Sequence, residues 1–229
     1  MTQERLLDKP TVNYSYGPYN KVGKKEQWIR LTEGCPHNCP YCYEPQEIKV
    51  FDIPQMKRKI VKIMDMNILV PSKEPLNILK SLPIKFGNEI IEYEFVCGID
   101  HRFLTKEIAE QLKKHHVKRI RIAWDWWMRD QYKIKDALSI LYSIGYKPVN
   151  IIIFFICNWN IPYSECCRKL DICKVWNVKC ADCYYDNQIE INDKFISIGW
   201  TTKQALDFRS KVRKHNQLVN FKIDPEIKP

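Results

Sequence analysis

Hydrophobic and polar positions alternate along the chain with two different periods. Short runs with apolar residues side by side or at every second position predict strands over 28–31, 60–64, 91–97, 119–124, 150–156 and 178–184. Between them, apolar residues recur at helical spacing and predict helices over 72–81, 105–115, 130–144, 162–176 and 202–215. Thr105 is placed to cap the second helix, with Ile108 and Leu112 one turn apart on its apolar face, and Thr201 and Thr202 open the last. The weakest link is the helix that should join the first two strands, for which only residues 54–59 are available.

From residue 27 to residue 215 there are six strand-centred units of about 31 residues, the length of a β-α unit. Such a repeat implies a parallel sheet, and right-handed crossovers curl it. The expected fold is therefore α/β, a partial (β/α)6 TIM-like barrel in a single domain over residues 26–215, with ligands at the carboxyl ends of its strands. Residues 1–25, with their tyrosines and Lys21, Lys24 and Lys25, read as an irregular arm, and residues 216–229 as a similar tail. No internal sequence repeat accompanies this structural one.

Composition narrows the picture. With 229 residues, 45% hydrophobic and 12% aromatic, the chain can bury one sizeable core, which excludes a mainly disordered protein. The longest apolar run, 151–157, falls far short of the roughly 18 residues a membrane span needs. The opening MTQERLLDKP lacks the pattern of a secretory signal, so a cytoplasmic protein is expected. In a reducing compartment ten cysteines point to thiols or metal ligands before disulfides. A formal charge of +10 favours polyanions, which alone is weak evidence for nucleic acid.

The chemistry concentrates just after the first strand, where Glu33 and Gly34 precede CPHNCPYCY and set Cys35, Cys39 and Cys42 in a CxxxCxxC spacing. A loop this short, stiffened by Pro36 and Pro40, can turn three sulfurs to one centre, and soft thiolates select zinc or iron–sulfur clusters. A structural zinc needs a fourth ligand, for which His37 is nearest. A cubane cluster ordinarily takes four cysteines, so three would leave one iron open. CPHNCPYC resembles the signature loop of the radical S-adenosylmethionine (radical SAM) superfamily, whose pattern is CxxxCx(aromatic)C directly after the first barrel strand; the aromatic here is Tyr41. MDMN at 64–67, GID at 98–100 and RIRIAWD at 119–125 end the next three strands much as in that superfamily, so the resemblance covers about residues 27–200.

The resemblance implies a [4Fe–4S] cluster on Cys35, Cys39 and Cys42, with S-adenosylmethionine chelating the open iron. An electron from an external one-electron reductant then cleaves it to methionine and a 5'-deoxyadenosyl radical. Position favours the cluster over zinc, because a barrel enzyme places its catalytic loops after the strands and a zinc knuckle has no reason to be there. By the same resemblance Tyr41 packs by the adenine, and polar groups ending the second strand, Asp65 and Asn67, hold the amino end of the cofactor. Asp and Asn at a strand end also read as turn residues.

Period-two alternation places Arg121 and Asp125 in the lumen and turns Ile120, Ile122 and Trp124 toward the helices. A charged ligand or an internal salt bridge would satisfy the lumen charges. Asp125, at the carboxyl end of its strand, is a candidate for the ribose or methionine part of the cofactor, with Arg121 keeping it ionised. On the third strand Glu94, Gly98 and Asp100 face inward; Gly98 admits the cofactor to the backbone or relieves crowding. His101 and Arg102 are candidates for an acid and an anion clamp, or form a turn. Cys157, Cys180 and Cys183 are candidates for a second cluster or metal, against the plainer reading of buried thiols, and Cys166 and Cys173 read as a packing stripe. Trp124, Trp126, Trp127 and Trp159 gather at the rim, as packing or as a stacking surface. Basic residues at 57–59 and 113–118 read as solvated faces or phosphate contacts.

These readings predict a radical SAM enzyme with an unassigned substrate: a nucleotide or nucleic acid fits the charge and the aromatic rim, a peptide or small metabolite fits the short chain, and the open mouth of six units favours a macromolecule or a partner protein that completes the wall. The alternative is a zinc-stabilised basic nucleic-acid-binding protein without catalysis.

Overall fold

A computed structural model describes residues 16–37, 39, 41–42, 44–69, 75–125, 128–157, 161–184 and 199–221. The chain gathers into two compact units, Met1–Arg121 and Ile122–Pro229. It is mixed α/β with parallel strands, as expected.

In the first unit four strands form one sheet in the order β1-β2-β5-β8, comprising β1 (Tyr19–Val22), β2 (Glu26–Arg30), β5 (Ile60–Ile63) and β8 (Glu92–Phe95). β1 runs antiparallel to β2, and the other pairs are parallel. Register aligns Ile29, Ile63 and Phe95 across the sheet, all essentially excluded from solvent. Each such side chain contributes about 1.5–3 kcal/mol relative to exposure. The intervening positions align Trp28, Lys62 and Glu94 on the opposite, polar face. Helices α1 (Pro75–Ser81) and α2 (Lys106–Lys114) pack together through the first unit, and Thr105 caps α2 by accepting from the Ile108 N–H at 3.2 Å.

Two hairpins complete the unit, β3 (Thr32–Glu33) with β4 (Lys49–Val50) and β6 (Lys85–Phe86) with β7 (Glu89–Ile90). No helix joins β2 to β5 among the described residues; the β3–β4 pair takes up that connection. β1 corrects the expectation of a wholly irregular arm. All four of its residues are exposed, so no buried face betrays its period.

The second unit holds a three-stranded sheet in the order β11-β10-β9, with β9 (Ile120–Ala123), which begins at the unit boundary, β10 (Ile151–Cys157) and β11 (Lys179–Tyr184). Helices α3 (Gln131–Ser143), α4 (Tyr163–Trp176) and α5 (Thr202–Phe221) accompany it. Ile120, Ile122 and Trp124 are buried while Arg121, Ala123 and Asp125 are half-buried, the expected alternation. Helix α5 runs beyond the expected end at residue 215 for a local reason. Asn216 accepts from the Cys180 N–H at 2.9 Å and donates to the Cys180 carbonyl at 2.7 Å, capping the β11 edge as a strand would. Thr201 and Gln204 form its N-terminal capping box. No helix among the described residues is long and apolar enough to cross a membrane.

Candidate metal centre and cofactor site

The three cysteines sit on a lobe closed at its base. β3 enters it and β4 leaves it, pairing Glu33 with Lys49 and Thr32 with Val50. Inside that gate the Cys35 N–H donates to the Pro45 carbonyl at 2.8 Å and the Gly34 N–H donates to Glu44 Oε1 at 2.8 Å. Only glycine fits at 34. Its φ is +96°, and an added Cβ would lie 2.0 Å from the Glu47 carbonyl oxygen. The Cys42 N–H donates to the Cys39 carbonyl at 2.9 Å, tightening the turn that carries Tyr41, which is half-buried.

Cys35, Cys39 and Cys42 are half-buried cysteines outside any disulfide, close enough to influence one another's charge. Burial raises the Cys35 thiol above its ordinary range and pushes Cys42 up to about 11. Binding a metal would therefore release protons. Among the described residues no three His, Cys, Asp or Glu side chains are gathered to hold a single ion.

Beside the lobe lies a polar network from the ends of β5 and β8. Asp100 is its hub. It accepts from the Arg102 backbone N–H at 2.9 Å and from Arg102 Nε at 2.8 Å, with a further bond from Arg102 Nη2. Burial pushes the Asp100 carboxyl upward, but Arg102's hydrogen bonds outweigh it and hold the group below the usual carboxylate range. His37 Nε2 lies 3.2 Å from Asp100 Oδ2, without hydrogen-bond alignment, and its ring centre is 5.5 Å from that of Phe103. Asn67 Nδ2 reaches Asp100 Oδ2 at 3.4 Å, and the Asn67 amide also hydrogen bonds Cys35. Asn67 Oδ1 is buried with no hydrogen-bond partner among the described residues. Arg102 thus clamps Asp100, and His101 opens the short 3-10 turn that carries it.

The other candidates divide. Asp65 is turned into the protein, where its carboxylate accepts from the Leu31 N–H at 3.2 and 3.1 Å and from both the N–H and the hydroxyl of Thr32. It latches the β2–β3 junction that launches the cysteine lobe, and burial pushes it up to about 6. Gly98 has φ +94°, a backbone conformation that favours glycine, and a Cβ there would lie 3.3 Å from the Arg121 carbonyl oxygen. Arg121 pairs with Glu94 and donates to the Phe95 carbonyl at 3.1 Å, the internal salt bridge that was the alternative to a charged ligand. Asp125 is half-buried, and its charge acts on the Lys169 ammonium of α4.

Lys169 escaped the sequence reading. It is fully buried and donates to the Trp124 carbonyl at 2.8 Å. Its place among the buried residues Cys166, Leu170 and Cys173 of α4 was the available signal. Cys166 and Cys173 are buried as a packing stripe, with Cys157 and Cys180 also buried. Cys180 and Cys183 are an odd number of residues apart on β11 and so lie on opposite faces of it. Trp124 is packed, stacked on Trp176 with ring centres 5.7 Å apart, whereas Trp126, Trp127 and Trp159 lie outside the described residues. In the basic run at 113–118 His115 is buried, and Lys113, Lys114 and Lys118 are exposed.

The fold and site define an α/β protein with a three-cysteine lobe directly after its first parallel strand, the arrangement that resembles the radical SAM superfamily. No family model matches the chain. Among curated proteins it is similar to the GTP 3',8-cyclases of Clostridium botulinum strains Okra (Type B1) and Hall (Type A), radical SAM enzymes. Each is 27% identical over 155 residues, covering 58% of this chain and 48% of the relative. The chain spans about half the length of the curated relatives it matches.

Proposed function

We propose that the chain is a radical SAM enzyme in which Cys35, Cys39 and Cys42 hold a [4Fe–4S] cluster and S-adenosylmethionine occupies the remaining iron. The observation that supports this reading is the stapled lobe, which carries three thiols near enough to influence one another's charge, with Cys35 hydrogen bonded by Asn67, whose buried amide oxygen has no partner among the described residues. The donor set fits: soft sulfurs from one short loop without a fourth cysteine. When bound, the cluster supplies the electron, taken from an external reductant, that cleaves S-adenosylmethionine to methionine and a 5'-deoxyadenosyl radical for hydrogen abstraction.

The chain's own residues bind and orient. Asn67 Oδ1 is an acceptor suited to the cofactor's ammonium group, and Asp100, kept ionised by Arg102, adds a fixed negative charge nearby. Asp65 and Gly34 act on the lobe, Asp65 by holding its entry and Gly34 by letting its two legs approach. Tyr41 stands as a contact for the adenine. This reading includes the partial (β/α)6 barrel spanning residues 26–215, and a reducing compartment such as the cytoplasm, in which ten cysteines stay outside disulfides. The name of the relatives supports a nucleotide substrate.

The test is product formation. Full-length chain reconstituted anaerobically with iron and sulfide, then given dithionite and S-adenosylmethionine, should release 5'-deoxyadenosine, and Cys42→Ala should release none. Equal yields from both would remove the lobe from the chemistry.

A further inference from the structure

The anion that Arg102 clamps is the protein's own. Asp100 precedes the 3-10 turn His101–Phe103 and takes both ends of Arg102, the backbone N–H at 2.9 Å and the side-chain Nε at 2.8 Å, with Nη2 on its second oxygen. A fork held at both ends by one carboxylate has little freedom to turn to a ligand. Asp100 is in turn set against the cysteine lobe. Its Oδ2 lies 3.2 Å from Nε2 of His37, which stands between Cys35 and Cys39 in the chain, and 3.4 Å from the Asn67 amide that also bonds Cys35.

Negative charge gathers at the lobe. Asp100 acts on Cys35 and Glu44 on Cys42, both as carboxylates. Three thiolates on iron would add to them, and each negative charge nearby makes it costlier to add an electron. The guanidinium of Arg102 acts on Cys39 and Cys35 with the opposite sign. Its side chain is 38% exposed against 8% for that of Asp100, so water screens part of this charge and its effect is a fraction of what a buried cation would exert.

We propose that Arg102 is a positioning residue for the redox chemistry of the cluster: it holds the Asp100 carboxylate in place beside the lobe and offsets its charge, so that the cluster accepts an electron more readily. The assignment rests on the reading of the lobe as a cluster site and adds to it a residue outside the ligand set. The competing account is a purely structural clamp, which would change folding and iron content without a signed change of potential.

A redox titration tests it. Full-length chain, reconstituted anaerobically and without S-adenosylmethionine, is titrated with dithionite in the presence of mediators, and the reduced cluster is read by electron paramagnetic resonance. At a fixed potential Arg102→Gln should show a ratio of reduced to oxidised cluster about three- to tenfold below wild type, a downward shift of about 30 to 60 mV at about 59 mV per decade for one electron. Asp100→Asn should shift the midpoint upward, and the double variant should return toward wild type, because the two charges act with opposite sign. Arg102→Lys keeps the charge without the fork and should stay within about twofold of wild type in that ratio. Melting temperature and iron content of the same preparations report folding and assembly separately. A midpoint unmoved by Arg102→Gln, loss of iron from that variant, or shifts in the same direction from Arg102→Gln and Asp100→Asn would each overturn the assignment while leaving the cluster reading intact. A wild-type chain that takes up no cluster would overturn the cluster reading, and this assignment with it.

Discussion

Replacing Gly34 by alanine should release the cysteine lobe from its base. The new methyl carbon would stand 2.0 Å from the Glu47 carbonyl oxygen, 2.7 Å from the Glu47 carbonyl carbon and 2.9 Å from Ile48 Cα. All three are backbone atoms, so no side chain can rotate away, and the strain at positive φ comes on top, about 1–3 kcal/mol. Relief requires the two legs of the lobe to part. That breaks the Cys35–Pro45 and Gly34–Glu44 hydrogen bonds and loosens the β3–β4 pair, at about 1 kcal/mol for each bond lost. The combined loss, about 3 to 5 kcal/mol, should lower the melting temperature by roughly 10 °C. Circular dichroism melts, read beside iron content after anaerobic reconstitution, check both consequences. A variant that melts with the wild type and retains all its iron would show that the lobe does not depend on this close approach.

Two further predictions concern protonation. Asp65 titrates near 6 in the folded chain against an ordinary 3.8, so between these values the native state binds more protons than the unfolded state, and stability falls as pH rises through that window, by up to about 3 kcal/mol. Urea denaturation of wild type and Asp65→Asn at pH 4 and pH 7 should show the wild type losing ground to the variant at the higher pH; parallel behaviour would refute the burial argument. His215 has the opposite sign: burial, the largest cause, and Lys174 lower it below 6.5, and its Nε2–H donates to the Val178 carbonyl at 2.7 Å, so the native state resists protonation and stability falls as pH drops below about 6.5. His215→Gln should flatten that acid slope, and an unchanged slope would assign it to other groups.

Much of this architecture was legible because the signals were periodic. The β-branched run of β10 and the alternation of Arg121, Ala123 and Asp125 with Ile120, Ile122 and Trp124 locate strands and faces directly. The cysteine spacing located the lobe. Less legible was what depends on register. Parity places Glu94 and Arg121 in the lumen, but their pairing requires knowing how the strands slide. Asp65 is visible as a strand-end acid, yet its partners are backbone amides of Leu31 and Thr32, and backbone donors leave no mark in a sequence. Strands of two residues, such as β3 and β4, are too short to show a period, and so the gate of the lobe was missed.

The central claim is that three thiols on one lobe hold an iron–sulfur cluster, and metal content tests it most directly. After anaerobic reconstitution with iron, sulfide and zinc all available, the wild-type chain should be brown, absorb broadly in the visible blue, and carry about four irons and four sulfides, with Cys35→Ala, Cys39→Ala and Cys42→Ala each colourless. A colourless wild-type chain holding one zinc would contradict it.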